Sequence, residues 1–313
     1  MKKTSWILGA IIIGVLLLWQ INSYFELFAV NHTKKSEHGN KVFRVMTYNI
    51  NATSENDDIE TIRIELLGEV VKYSPDILCF QEMSSTMYKS IHASLDSIFG
   101  YNDSLDSKLP SKYSIYSKRP IKNYQRYQYI TEFDTIGSES IKEYAQKIKW
   151  GMPVYSADIE VEPNRWVAFF SVHLRSSAYS TARRSMGKET SWLKGLPLYY
   201  ENYKDGQKIR HYEADNLRLH LDVMETQDTP ILIAGDFNDW SGSYCMNRIR
   251  DGLYKDAWWE GGNGFGITYD GWHLKLRLDH ILYSHHFKLE NVFVKKSEYS
   301  DHRPLIADFT LME

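Results

Sequence analysis

Cysteine is nearly absent: Cys79 and Cys245 are the only two in 313 residues. They form no CxxC pair and have no metal-ligand spacing, so neither a cysteine-based metal site nor a disulfide framework is expected, and both read as buried free thiols. A surplus of positive charge is missing as well. Net charge is −3, and the first 41 residues hold five lysines and two glutamates, leaving 32 basic against 38 acidic residues in the remainder. Proteins that grip duplex DNA through many phosphates carry a basic stripe. No such stripe is visible here except locally, at Arg183 and Arg184, which argues mildly against non-specific DNA binding. From Val42 onward there is no repeat, no low-complexity tract and no second shift in composition. One domain over 42–313 is the simplest organisation.

What is present suits an ordinary globular protein. Hydrophobic residues make up 43% and charged residues 25%, enough for a sizeable core. Aromatic content is high, with 22 Tyr and 9 Trp, and reads mainly as packing. At the N-terminus, Lys2 and Lys3 precede WILGAIIIGVLLLWQI, broken only by Gln20. No small-x-small cleavage site follows in NSYFELFAVNH, so an uncleaved transmembrane helix within residues 1–30 is expected, spanning from residue 6 to about 28. Residues 31–41 read as a linker. The positive-inside rule then makes this a single-pass membrane protein with its body outside the cytoplasm, although Lys34 and Lys35 run counter to that orientation.

Beyond the linker, strands and helices alternate. KVFRVMTYNI reads as a strand. Ile59, Ile62, Leu66 and Val70 recur at helical spacing behind Asp57 or Asp58 as the cap, and SPD ends that helix. ILCFQE, YSIYSKRPI, VYSADIEVE, RWVAFFSVHL, PILIAGDFN, RLDHILYS and PLIADFTLM read as strands, and IRHYEADNLRLHLDVM as a helix. Two sheets covered by helices are expected. Residues 175–208 show no core pattern and read as a long loop or lid carrying Arg183, Arg184, Lys188 and Trp192.

Five strand ends carry residues fit for metal or phosphate chemistry: Asn49, Glu82, His173, Asp236 with Asn238, and Asp279 with Asp301 and His302. A hard divalent cation such as Mg²⁺ takes a few carboxylate or amide oxygens and keeps several waters. Glu82, Asn49 and Asp301 supply such oxygens. Phosphoester hydrolysis also needs an activated water and donors around the phosphoryl oxygens. Asp236 is suited to take the proton from water and Asn238 to donate from its amide. The two histidines are suited to face the phosphate, with Asp279 holding an imidazole in one tautomer and raising its pKa. Asp239 and Trp240 read as the turn that follows.

TYNI, PDILCFQE, SVHL, GDFND, RLDHILYS and SDHRPLIADF occur in the order of the endonuclease/exonuclease/phosphatase superfamily, whose fold pancreatic-type deoxyribonuclease shares. YSIYSKRPI also resembles a strand of that family, without its usual preceding glycine. The resemblance spans residues 44–309 and implies an α/β fold, a four-layered sandwich of two β-sheets with helices outside. It also implies a Mg²⁺-dependent phosphoric-ester hydrolase, with Mn²⁺ or Ca²⁺ as alternative ions. By resemblance Asn49, Glu82 and Asp301 match the metal positions and His173 the phosphate-facing histidine. Asp236 and Asn238 match the residues around the attacking water, Asp279 the acid that orients a histidine, and His302 the histidine of the closing motif. LRLDHIL lacks the inositol phosphatase signature, and QEMS departs from the QETK of AP endonucleases. Two enzymatic readings therefore stand: an extracytoplasmic nuclease-like phosphodiesterase, and a phospholipid phosphodiesterase of the sphingomyelinase type that uses Trp192, Trp258 and Trp259 near a bilayer. A membrane-tethered binding protein without turnover is the non-catalytic alternative.

Overall fold

The computed structural model describes residues 14–22, 26–30, 41–52, 58–102, 115–127, 154–176, 192–271 and 274–313. Two six-stranded sheets form its centre. One has the order β10(Lys255–Asp256), β14(Asp279–Tyr283), β9(Ile231–Asp236), β8(Arg165–His173), β7(Val154–Glu162), β6(Ile121–Tyr127). The other runs β15(Phe287–Val294), β16(Leu305–Leu311), β2(Phe43–Ala52), β3(Ile77–Met83), β5(Ile115–Ser117), β4(Tyr101–Asn102). Short ribbons pair β1(Ala29–Val30) with β11(Asn263–Gly264) and β12(Tyr269–Gly271) with β13(Leu274–Leu276).

Strand alternation explains the layering. On β2, Phe43 and Val45 face the second sheet and meet Phe169, Leu232 and Ile281 in the central core. The intervening Met46 and Tyr48 face outward, onto Leu66 and Val70 of α2(Ile59–Tyr73) and Ile91 and Leu95 of α3(Ser85–Phe99). On β8, Phe170 and Val172 pack outward against Ala214, Leu217 and Leu221 of α4(Trp192–Glu225) and Met246 and Ile249 of α5(Tyr244–Arg250). The result is helix, sheet, sheet, helix. Asp58 caps α2, its carboxylate accepting from Thr61 N at 3.2 Å, and Ser74 ends it in the left-handed conformation.

Each sheet contains one parallel pair joined by a crossover helix: β2–α2–β3 and β8–α4–β9. A parallel neighbour can be reached only through such a crossover, and the two crossovers bring four strand C-termini to one edge of the molecule. Between β8 and β9 the backbones approach closely. Gly235 has φ +154°, and a Cβ there would lie 1.8 Å from Val172 O.

Two expectations require correction. No helix among the described residues is long and apolar enough to cross a membrane. Of the span expected from residue 6 to about 28, residues 6–13 and 23–25 lie outside the described residues, and residues 14–22 form the described helix α1. Residues 26–30 are tied to the folded domain: Ala29 is buried in the central core, and Glu26 pairs with Arg250 at 2.7 Å. The single-pass topology and extracytoplasmic placement fall with that helix. Second, the loop expected over 175–208 is helical from Trp192 onward, continuous with α4. Gly195, Pro197 and Gly206 obscured its helical period; Arg183, Arg184 and Lys188 lie outside the described residues. Trp258 is a core residue, 7% exposed, its indole donating to Gly264 O at 3.1 Å, and Trp259 packs partly buried against the same core, in keeping with the reading of the aromatics as packing. This helical turn, α6(Ala257–Gly261), is capped by Asp256.

Gly235→Ala is expected to destabilise the fold by at least about 3 kcal/mol, because the intruding atom meets backbone that cannot rotate away. Urea unfolding of variant and wild type measures it, and an unchanged midpoint refutes the constraint.

Candidate active site

The four parallel-strand ends carry Asn49, Glu82, His173 and Asp236. Register sets their level: His173 pairs with Asp236 across β8 and β9, and Asp236 pairs with Asp279 across β9 and β14. The neighbouring backbone is distorted to suit. Asn51, Glu82 and Asn238 are non-glycine residues with φ of 44°, 57° and 50°, and the β2–β3 register shifts between Asn49 and Ala52. Left-handed non-glycine residues concentrate where a fold holds side chains in set directions, and here they redirect two strand ends and the loop after β9.

One atom organises the group. Asp236 Oδ2 accepts from Asn49 Nδ2 at 2.9 Å and Asn238 Nδ2 at 3.1 Å. His173 Nε2 and His302 Nε2 lie 3.7 Å and 3.8 Å from the same oxygen. Asp236 Oδ1 accepts the backbone N–H of Asn238 at 2.8 Å, and Leu174 O takes a second proton of the Asn238 amide at 2.9 Å. Glu82 Oε1 is 3.2 Å from Asn49 Nδ2 and 3.4 Å from His173 Nε2. His302 Nδ1 meets Asp279 Oδ2 at 2.8 Å. Seven of the eight sequence-predicted residues therefore form one connected cluster. The eighth, Asp301, joins at one remove: its Oδ1 accepts from Asn51 Nδ2 at 2.8 Å, and Asn51 N donates to Asn49 Oδ1 at 3.0 Å.

Burial and charge act against each other in this cluster. Burial alone would lower His302, but the Asp279 and Asp236 carboxylates override it and hold its pKa up at about 10. Burial likewise works to lower His173, and its contact with Glu82 and the Asp236 charge raise it. Burial would raise Glu82, yet His173 and Asn49 bring it down to about 2. Burial pushes Asp236 upward against the pull of both imidazoles. Both histidines thus favour the charged, proton-donating form.

The donor set fits a hard divalent cation. Glu82, His173 and Asp236 present ligand atoms within 4.8 Å of one another, as do Asp236, Asp279 and His302. Three carboxylates, Glu82, Asp236 and Asp279, face two imidazoles, an excess of negative charge that a cation neutralises. Asp279 Oδ1 is also buried with no hydrogen-bond partner among the described residues. Glu82, partly open with its side chain 27% exposed, and Asn49 offer the accessible oxygens.

Sequence reading missed the supports. Asp239 is not merely a turn residue: it is 1% exposed, and its carboxylate accepts from Gln207 Nε2 at 2.8 Å and approaches Arg210 Nε at 3.4 Å. Arg210 also donates to Arg175 O at 2.7 Å, so one buried guanidinium ties together the chain segments leaving Asn238 and His173. Thr268 Oγ1 accepts from Leu278 N and Asp279 N at 3.0 and 2.9 Å. Ser300 Oγ donates to Asn49 O and accepts from His302 N. The available signal was the second acid of GDFND, facing a helix with Gln207, Arg210 and Glu213 at three-residue spacing.

Two mixed sheets lie back to back, with acids, amides and imidazoles gathered at one edge. The profile of the Endonuclease/Exonuclease/phosphatase family matches residues 46–302, and the chain belongs to that family. Members hydrolyse phosphoester bonds and are typically metal-dependent. No curated protein sequence matches the chain. Among solved structures, the human Nocturnin catalytic domain with bound sulfate superposes with TM-score 0.59 at 17% identity, covering 87% of this chain and 95% of that one. ANGEL2, a 2′,3′-cyclic phosphatase in complex with adenosine-2′,3′-vanadate, gives 0.59 at 16% identity, covering 90% and 100%. Truncated Caenorhabditis elegans TDP2 gives 0.57 at 18% identity, covering 86% and 97%. These likenesses establish the fold.

Glu213 lies behind the site, fully buried, accepting from Arg175 N at 2.7 Å. Burial pushes its carboxyl up to about 7, only partly offset by Arg175 and Arg210. A raised acid favours the protonated folded state, so this contribution is full below the unfolded pKa near 4.5 and is lost as pH rises through about 7. Glu213→Gln should therefore gain stability relative to wild type between pH 5 and 8, by up to about 3 kcal/mol. Urea midpoints at the two pH values check it; a constant difference refutes the shifted carboxyl.

Proposed function

We propose that the protein is a metal-dependent phosphodiesterase of the nuclease-like kind. The observation that carries this reading is the convergence of Asn49, Asn238, His173 and His302 on Asp236 Oδ2 within 3.8 Å. Glu82 and Asn49 would hold a divalent ion, Mg²⁺ first with Mn²⁺ or Ca²⁺ as alternatives, and Asp301 would complete its surroundings through Asn51. That ion supplies Lewis-acid polarisation of the phosphoryl group. Asp236, fixed by two amides, orients the attacking water and takes its proton; Asn238, both of whose amide protons are held by Asp236 and Leu174 O, positions that carboxylate. His173 and His302 donate to phosphoryl oxygens as negative charge grows on them. Asp279 accepts from His302 Nδ1, which leaves Nε2 directed at the reacting centre.

A phosphoester of nucleotide type is favoured as substrate class, because ANGEL2 carries an adenosine vanadate and Nocturnin a sulfate on the same fold. Burial of Trp258 removes one of the three tryptophans that the phospholipid reading invoked. The binding-protein reading requires a broken site, and every motif position is intact.

The full chain with Mg²⁺ is expected to hydrolyse bis(p-nitrophenyl) phosphate, with Glu82→Ala and His302→Ala each lowering kcat by about 10²–10³. Asp279→Asn should lower kcat with KM little changed, because it disturbs only the His302 tautomer. Undiminished turnover in both alanine variants would overturn the assignment. A parallel screen of RNA, plasmid DNA, sphingomyelin and inositol phosphates selects the substrate class, and cleavage of sphingomyelin alone reverses the preference stated above.

A further inference from the structure

The strands that deliver Asp236 and Asp279 to the active site have their other ends together as well, roughly one strand length, about 16 Å, away. There the turn between α4 and β9 meets the turn between β14 and β15. Ser284 joins them: its backbone N–H donates to Ile231 O at 3.0 Å, and its Oγ accepts from Ile231 N at 3.1 Å. The same Oγ lies 3.0 Å from His286 Nδ1, which sets the orientation of that imidazole. His286 Nε2 then points toward Asp228, on the first turn.

We propose that Asp228, His285 and His286 form a second metal site, for a borderline transition-metal dication of the Zn²⁺ class. His286 Nε2 and His285 Nε2 lie 3.2 and 3.7 Å from the same oxygen, Asp228 Oδ1, and the three ligand atoms fall within 4.8 Å of one another. A tetrahedral Zn²⁺ with bonds of 2.0–2.2 Å separates its ligand atoms by about 3.3–3.5 Å, between the two observed spacings. His286 Nε2 is buried and faces Asp228 Oδ1 across that short distance. The Nδ1 contact with Ser284 is the outer-shell partner that metal-bound histidines have.

The donor chemistry distinguishes this cluster from the catalytic one. Two imidazoles and one carboxylate select Zn²⁺, Ni²⁺ or Cu²⁺ over Mg²⁺ or Ca²⁺. Asp228 is 81% and His285 74% exposed at the side chain, so an ion can enter and a water can take the fourth position. Bound there, it would cross-link the two turns that precede β9 and follow β14, and so brace the catalytic strands from behind.

Calorimetric titration of the full chain with Zn²⁺ in excess Mg²⁺, which saturates the oxygen-rich site, tests this. One Zn²⁺ equivalent is expected, retained in Glu82→Ala and lost in His286→Ala and Asp228→Asn. His285→Ala removes an exposed side chain and leaves the fold intact, yet should also lose the equivalent; Ser284→Ala should weaken it about tenfold. Co²⁺ titration provides a spectroscopic readout, with visible bands of imidazole-bound Co²⁺ absent in His285→Ala. Absence of a Zn²⁺ equivalent in wild type, its survival in His285→Ala, or its loss in Glu82→Ala would overturn the proposal.

Discussion

The site depends on the register of three adjacent strands. His173, Asp236 and Asp279 are direct neighbours across β8, β9 and β14, so a base and two acids from distant parts of the chain stand at one level of the sheet. A slip of one residue in either pairing would turn a whole strand to its other face. The register is enforced from both sides of the sheet. Phe169, Leu232 and Ile281 face the central core, while Phe170, Ile233 and Leu282 face the outer one. Gly235 permits the tight approach of β8 and β9 that puts His173 beside Asp236. Hydrophobic burial on two faces therefore fixes the geometry of a polar site that contributes nothing apolar itself.

The second sheet contributes by facing the first. Asn49 and Glu82 end the parallel pair β2–β3, and the stacking of the two sheets places them against Asp236 and His173. Two crossover units, one per sheet, thus supply complementary halves. One brings an amide and a carboxylate suited to a hard cation; the other brings the acid and base groups. Their side chains meet in the low-dielectric edge between the layers, where unlike charges couple strongly. This is why His302 and His173 are held toward their charged forms although burial opposes it.

Around this centre lies a shell of neutral and charged supports that are themselves buried. Arg210 links Asp239 to the Arg175 carbonyl, and Thr268 holds the backbone at Asp279. Asp256 accepts from Arg277 and contacts His280, one residue from Asp279. Such networks are costly when half satisfied. Their closure around both loops means that the catalytic side chains have few alternative positions, the preorganisation that electrostatic catalysis requires.

Much of this was legible in the residues. Apolar runs ending in Asn49, Glu82, His173 and Asp236 marked strands with functional ends, since strands of the inner layers are apolar on both faces. Asp58 as a cap and the spacing of Leu66 and Val70 located the first long helix. The N-terminal run misled, because local hydrophobicity does not by itself make a membrane-crossing helix; Val15–Trp19 are exposed, and the chain meets the domain at residues 26–30. Ala29 is buried against the domain and Glu26 pairs with an arginine 224 positions away. Asp239 was equally silent, as its partners Gln207 and Arg210 come from a helix whose first turns were masked by glycine and proline. Sequence alone determined the inventory of reactive groups and their order on strands, because periodicity and residue chemistry are local properties. Only the tertiary structure decided that four amides and imidazoles converge on one oxygen of Asp236, because that follows from pairing register and the stacking of two sheets, and neither is written in any single segment.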